Sequence, residues 1–124
     1  DDEMEIGMGQ HGEAGTGTTK ILSADKTAEL MISSLVSAIK AKKGDKVMII
    51  LNGAGATTLM ELFIVLRGVK KVLDQKGIVI VASKVGEFLT VQEMAGFQMF
   101  IAKMDKELLS LWDAPSEAPY MVVR

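Results

Sequence analysis

The only histidine of the 124-residue chain, His11, lies in a segment that is rich in glycine. Residues 7–17 read GMGQHGEAGTG and hold five of the chain's twelve glycines. A neutral imidazole is a nucleophile or a general base near pH 7, and a hydrogen bond to its other ring nitrogen sets its tautomer. Glu13 is close enough in sequence to accept that bond, and the glycines would let a small ligand approach. His11 is therefore a candidate functional residue, and a loop histidine bonded only to backbone is the ordinary alternative.

The glycine segment also matches the spacing G-x-G-x-x-G through Gly7, Gly9 and Gly12, directly after a predicted strand. In dinucleotide-binding folds this spacing works because a helix begins within it and its N-terminus faces the pyrophosphate. Here EAGTGTT follows, and its glycines prevent an immediate helix. We therefore expect no dinucleotide at this loop. A P-loop is excluded because no glycine loop ends in Gly-Lys-Ser/Thr.

A second glycine loop, NGAGATT (residues 52–58), joins a predicted buried strand to a predicted helix. Backbone N–H groups at such a helix start point outward and favour an anion. The alternative is a tight turn that Thr57 or Thr58 caps. The residues alone leave both interpretations open and favour the turn.

Composition excludes several classes of function. The net charge of −2 provides no broad basic field for nucleic acid, and we interpret KAKKGDK (residues 40–46) as a solvated helix end and turn. No apolar run approaches the ~20 residues of a membrane span. With one histidine and no cysteine, only carboxylates remain as further metal ligands, so we expect no metal site and no disulfide. Methionines within apolar patterns should fill the core: Met31, Met48, Met60 and Met99.

The elements that must position these loops follow from periodicity, which predicts one α/β domain over residues 1–124. The predicted order is β-α-β-α-β-β-α, with helices packed on a sheet that contains parallel pairs. Strands are predicted at 4–9, 47–51, 78–83 and 98–104, and helices within 21–44, 59–77 and 105–115. Ser23 or Asp25 can cap the first helix.

Apolar spacing also predicts which side chains are buried. The run Val47–Leu51 should be a strand covered on both faces. The predicted apolar stripe of the first helix is Ala28, Met31, Ile32, Leu35 and Ile39. That of the second helix is Leu59, Leu62, Phe63, Leu66, Val69 and Leu73.

Four blocks of the sequence are similar to one family. GMGQHGEAG resembles the Gly-x-Gly-Ile-His-Gly-Glu-Pro-Gly loop of the dihydroxyacetone (glycerone) kinases, in their dihydroxyacetone-binding subunit or domain. LNGAGATTLMEL, VGEFLTVQEMAGF and LLSLWDAPSEAPYM resemble three further segments of that subunit, in the same order and spacing. Together the blocks cover nearly the whole chain, and they match the C-terminal half of the subunit.

The resemblance implies a site and a chemistry. In that family the loop histidine attacks the ketone carbon of dihydroxyacetone and holds it as a covalent hemiaminal, which maps onto His11. Gly9, Gln10, Gly12 and Glu13 would support the substrate loop. The resemblance also implies a mixed sheet covered by helices.

Further partners follow from the same resemblance. The family's acid–base aspartate and a second histidine lie in the N-terminal half of the subunit, so this segment alone should not phosphorylate its ligand. It should bind no cofactor itself. ADP or ATP with Mg²⁺ is expected on a partner kinase subunit or domain, which a phosphotransferase-system protein recharges in some relatives. The full protein is expected to be a cytoplasmic homodimer.

Some residues depart from the family pattern. Gln10 stands in place of isoleucine, and Ala14 and Thr58 stand in place of proline. Losing the proline after Glu13 should loosen the loop. A polar Gln10 beside the histidine could bind an extra hydroxyl, as in erythrulose. A non-catalytic, dihydroxyacetone-sensing paralogue that acts as a transcriptional co-activator is a further alternative.

Overall fold

The computed structural model describes residues 2–9, 11, 13–119 and 121–124. Two of the predicted loop residues, Gln10 and Gly12, lie outside this described part. In chain order the elements are β1 (Glu3–Ile6), β2 (Gly17–Lys20), α1 (Ala24–Ala38), β3 (Lys46–Gly53), α2 (Leu59–Gln75), β4 (Val79–Gly86), β5 (Phe97–Lys103), α3 (Lys106–Trp112), β6 (Ser116–Ala118) and β7 (Met121–Val123).

A mixed three-stranded sheet of order β4-β3-β5 forms the centre of the fold. Strand β3 pairs in parallel with β4, which α2 precedes, and antiparallel with β5. Val47, Ile49 and Leu51 are fully buried and share one core cluster with side chains of α1 and α2. They lie on one face because side chains alternate along a strand. The predicted α/β fold, a mixed sheet covered by helices, is confirmed.

The opposite face of β3 differs from the prediction. Met48 and Ile50 are only half-buried, so the run Val47–Leu51 is not covered equally on both sides. Ile50 lies opposite Phe100 of β5, which is 47% exposed. The continuous apolar run therefore reports a strand with one fully covered face and one partly covered face.

The two long helices pack against each other at a point where both side chains are small. A Cβ added at Gly68 of α2 would lie 2.8 Å from the Cβ of Ala28 on α1. Beside this contact, Arg67 donates to Asp25 at 2.9 Å. Ser23 caps α1 as predicted. The helix ends at Ala38, well before Gly44.

The buried stripe of α2 was predicted incorrectly at its N-terminal end. Leu62, Val65, Val69 and Leu73 are buried, whereas Leu59, Phe63 and Met60 are 52%, 55% and 72% exposed. The first two turns of α2 carry apolar residues on nearly every side, so spacing alone could not select the face that contacts the sheet. Met60 is consequently not a core residue.

Strand β2 was missed, and the C-terminal tail, which the sequence predicts only to be extended, contains the two short strands β6 and β7. Strand β2 reads GTTK and pairs antiparallel with β1, and β6 pairs with β7 in a C-terminal hairpin. Each has three or four residues and lacks a clear alternation of apolar and polar side chains, which is the signal that predicts a strand. Within the ranges that the model describes, no helix is both long and apolar enough to cross a bilayer.

Candidate functional site

The histidine loop connects the two strands of the β1–β2 hairpin. Ile6 pairs with Gly17 at the end of the ladder, and the loop leaves and re-enters the hairpin there. At this neck the Ile6 carbonyl accepts two hydrogen bonds from Thr16, one from its backbone N–H at 2.7 Å and one from its hydroxyl at 3.0 Å. The hairpin therefore closes the base of the loop with three atoms of two residues.

A second bond closes the neck. The backbone N–H of Gly15 donates to Oε1 of Glu5 at 3.0 Å. A Cβ at Gly15 would lie 2.5 Å from the Ile6 carbonyl oxygen and 2.8 Å from Glu5 Oε1. Since real Cβ atoms do not approach so closely, only glycine fits between the strand and this carboxylate.

At the tip of the loop, Glu13 contacts His11 in two ways. The backbone N–H of His11 donates to Glu13 Oε2 at 3.1 Å, and Glu13 Oε1 lies 3.7 Å from His11 Nδ1. The second distance is longer than a hydrogen bond. The Gly9 N–H donates to the Glu13 carbonyl at 2.9 Å. A side chain at Gly9 would collide with the Glu13 carboxylate.

The imidazole itself is open to solvent. The side chain of His11 is 89% exposed, and that of Glu13 is 64% exposed. Glu13 lies on the Nδ1 side of the ring, so a proton on Nδ1 would face a carboxylate and leave the lone pair on Nε2. The arrangement can present a neutral, nucleophilic nitrogen to a small electrophile.

Of the predicted loop residues, the structure brings together His11, Gly9 and Glu13. Gln10 and Gly12 were also predicted, and no geometry is assigned to them. The sequence reasoning missed Glu5. Glu5 could have been suspected only as an acidic residue on the predicted strand, two positions before the first glycine of the loop. That stretch was interpreted only for its strand periodicity.

The second glycine loop is a capped turn. Thr58 caps α2, with its hydroxyl accepting from the Glu61 N–H at 3.4 Å and its own N–H donating to Glu61 Oε2 at 2.8 Å. The Thr58 N–H and the Thr58 hydroxyl, which also donates to Glu61 Oε2 at 2.8 Å, lower the pKa of the Glu61 carboxyl. The N–H groups of Ala54 and Ala56 donate to carbonyls of residues 96 and 94. Because these donors are engaged, the structure supports the turn rather than the anion loop.

Asn52 joins this turn to residues 88–89 and to β5, a role for its side chain that the sequence did not predict. Its Nδ2 donates to the Leu89 carbonyl at 2.7 Å and to Gln98 Oε1 at 2.9 Å. Its Oδ1 accepts from the N–H groups of Phe88 and Leu89 at 2.7 and 3.0 Å. Asn52 is 3% exposed, so its side-chain amide is buried and fully hydrogen-bonded at the carboxyl end of β3.

Metal ligands do not converge in the part of the chain that the structure describes. No group of three or more His, Cys, Asp or Glu side chains there could hold an ion. The arrangement around His11 thus offers one imidazole and one carboxylate, and its chemistry is that of the imidazole.

Comparison with known proteins places this architecture in a family. The Dak1 domain model matches residues 1–120. The L-erythrulose kinase of Pectobacterium atrosepticum is 39% identical over 120 residues, covering 94% of this chain and 20% of that protein. The dihydroxyacetone-binding subunit DhaK of the PTS-dependent dihydroxyacetone kinase 2 of Listeria innocua serovar 6a is 36% identical over 121 residues.

That second match covers 98% of this chain and 37% of the Listeria subunit, so the chain spans well under half the length of both relatives. Among solved structures, the dihydroxyacetone kinase operon co-activator Dha-DhaQ superposes with a TM-score of 0.82 at 28% identity, over 92% of this chain and 36% of that one. The family match spans nearly the whole sequence. This chain therefore belongs to the Dak1 domain family.

Proposed function

We propose that the chain is the substrate-capturing part of a dihydroxyacetone-type kinase and that His11 binds the ketone covalently. The observation that carries the proposal is the exposed imidazole of His11 at the tip of a glycine loop, with the Glu13 carboxylate on its Nδ1 side. Kinases of short ketoses among its relatives support the substrate class.

The chemistry needs only groups that the loop presents. The Nε2 lone pair attacks the carbonyl carbon, an N–C bond forms, and the carbonyl π bond breaks. The oxygen takes a proton from water and becomes a hydroxyl, while the ring loses its Nδ1 proton toward Glu13 or solvent. The product is a neutral hemiaminal, and no oxidant or metal is required. A polyol such as glycerol has no carbonyl to attack, so capture selects ketones and aldehydes.

Phosphoryl transfer is assigned to other parts of the assembly. The loop holds no second histidine or acid near His11 other than Glu13, among the residues with described positions. Following the family resemblance, we propose that the acid–base groups lie in the N-terminal half of the subunit. We propose likewise that ADP or ATP with Mg²⁺ binds to a separate kinase subunit or domain.

Capture is tested with dihydroxyacetone labelled with ¹³C at its carbonyl carbon. Wild-type protein should shift part of this signal to the tetrahedral region, at a position distinct from that of the free hydrate that forms in water, and His11→Ala should abolish this shifted signal. His11→Asn, which keeps a polar side chain without the nucleophile, is the matched control. A shifted signal that persists in both variants would reject His11 as the anchor.

A longer ketose is a second candidate substrate. The relative from Pectobacterium atrosepticum is named an L-erythrulose kinase and is 39% identical, and Gln10 replaces the isoleucine typical of the loop. Competition between labelled dihydroxyacetone and unlabelled erythrulose tests this candidate. Stronger displacement by erythrulose, lost in Gln10→Ile, supports it, whereas equal displacement in both proteins rejects a role for Gln10.

A sensing role is a third candidate, because the co-activator Dha-DhaQ superposes over 92% of the chain. Capture by His11 is common to both roles, so it does not separate them. The discriminating residues are those of the N-terminal half. An aspartate and a histidine retained there support the kinase, and replacement of both supports the sensor.

A further inference from the structure

We infer that Glu5 is a positioning residue for His11, acting from the strand through the backbone of the returning loop. The inference rests on the proposed function of His11. It begins from the hydrogen bond between Gly15 N–H and Glu5 Oε1 at 3.0 Å, which spans ten residues and joins β1 to the far side of the loop.

The same device occurs twice in this loop. Glu13 lies against Gly9 at the tip, and Glu5 lies against Gly15 at the neck, each at a glycine where a Cβ would collide with the carboxylate. Each carboxylate also accepts a backbone N–H, from His11 in one case and from Gly15 in the other. Hydrogen bonds from backbone N–H groups to ionised carboxylates are stronger than neutral ones.

The hydrogen bond from Gly15 to Glu5 lies where it can fix the backbone of the returning side of the loop. Thr16 directly follows Gly15, and its N–H donates to the Ile6 carbonyl at 2.7 Å. Glu5 and Ile6 thus fix two consecutive residues of the loop, Gly15 and Thr16, directly before β2 begins. Glu13, which contacts His11, lies two residues before Gly15. A two-stranded hairpin is only marginally stable by itself, so side-chain bonds at its end contribute strongly to loop geometry.

Glu5 does not contact the ring, so its effect must pass through the backbone. We expect Glu5→Ala to weaken dihydroxyacetone capture about threefold to tenfold, the range for loss of one hydrogen bond. Glu5→Gln keeps an oxygen acceptor for Gly15 N–H and should recover most of the affinity. Glu3→Ala removes an exposed carboxylate from the same strand, away from the loop, and should leave capture unchanged.

Nuclear magnetic resonance of ¹⁵N-labelled protein reports the state of the His11 ring directly. It therefore distinguishes positioning of the histidine from a general change in hairpin stability. In Glu5→Ala, the Gly15 amide should exchange faster, and the His11 ring nitrogens should report a changed tautomer ratio. Unchanged ring signals together with unchanged capture would overturn the inference, even if the Gly15 amide were perturbed. An equal loss in Glu3→Ala would also overturn it, because the effect would then belong to the strand generally.

Failure of the proposed function gives a different pattern. If wild-type protein forms no adduct, His11 is not the anchor. The signals of the His11 ring nitrogens still test whether Glu5 positions the histidine, because they are measured without a ligand. A change in these signals in Glu5→Ala, absent in Glu3→Ala, supports positioning of the histidine, and no change rejects it.

Discussion

Glu13 accepts the backbone N–H of His11 at 3.1 Å through Oε2, and its Oε1 lies 3.7 Å from Nδ1 of the same histidine. One carboxylate thus contacts both the main chain and the ring of the residue that we propose as the anchor. The glycine at position 9 makes this possible, because a side chain there would occupy the space of the carboxylate.

The first expectation concerns Glu13 and Gly9 together. Glu13→Ala should weaken ketone capture about tenfold, since it removes a charge-assisted hydrogen bond worth about 1.5 kcal/mol. Gly9→Ala should cause a similar loss by displacing the Glu13 carboxylate. If both act through that carboxylate, the double variant should lose little more than either single variant. Dissociation constants from the ¹³C signal measure the coupling between the two substitutions. Fully additive losses of affinity would show that Glu13 and Gly9 act independently, and would contradict the expectation.

The second expectation concerns the buried, hydrogen-bonded amide of Asn52. Asn52→Asp should destabilise the chain by about 2–4 kcal/mol, because two donors disappear and their acceptors, Leu89 O and Gln98 Oε1, would face a buried carboxylate. Gln92→Glu makes the same chemical change at an exposed position of the neighbouring segment and should have almost no effect. Urea unfolding midpoints give the comparison. Equal midpoints for wild type and Asn52→Asp would contradict the bonded, buried amide.

The third expectation is a pH dependence. The hydrogen bond and charge of Arg67 lower the pKa of Asp25 below its ordinary value of 3.8. A carboxyl whose pKa is lower in the folded state adds stability above its unfolded pKa and loses it as pH falls through the folded pKa. The stability difference between wild type and Arg67→Met should therefore be constant at neutral pH and shrink below pH 3.8.

Urea titrations of both proteins across that range measure the difference. Arg67→Lys, which retains the positive charge, is the matched control and should keep part of the effect. A stability difference between wild type and Arg67→Met that grows as the pH falls would contradict the predicted direction of the pH dependence.

The fourth expectation separates two adjacent large apolar side chains of α2. Leu62 is fully buried, whereas Phe63 is 55% exposed. Leu62→Ala should cost about 2–5 kcal/mol of unfolding free energy, the range for a truncated core side chain. Phe63→Ala should change it by less than about 1 kcal/mol. Thermal or urea unfolding measures both, and a larger loss at Phe63 would place that side chain in the core.

Much of the fold follows from the sequence because long elements carry strong periodic signals. Strand β3 and helix α2 were predicted within a few residues, whereas α1 ends at Ala38, well before the predicted stop at Gly44. Ser23 was one of the two predicted caps of α1. The exposed start of α2 was missed because its first two turns carry apolar residues on nearly every side, so spacing did not separate the exposed Leu59, Met60 and Phe63 from the buried face. Strand β2 was missed because GTTK pairs through its backbone, which leaves no pattern in residue types.

The site divides in the same way. Residue types and loop composition predicted His11 and Glu13, and the structure brings their side chains together. Glu5 and Asn52 could not be assigned roles, because each acts on a backbone segment that is distant in sequence. Glu5 bonds a residue ten positions away, and Asn52 bonds residues 36 and 37 positions away. Such contacts become visible only after the strands are paired.

The central claim is that His11 captures a short ketone covalently, and a crystal structure of the chain soaked in dihydroxyacetone tests it most directly. We expect continuous density from Nε2 of His11 to a tetrahedral carbon of a three-carbon ligand, with the Glu13 carboxylate on the Nδ1 side of the ring. Ligand density lodged elsewhere on the chain, with the His11 ring facing away from it, would contradict the account.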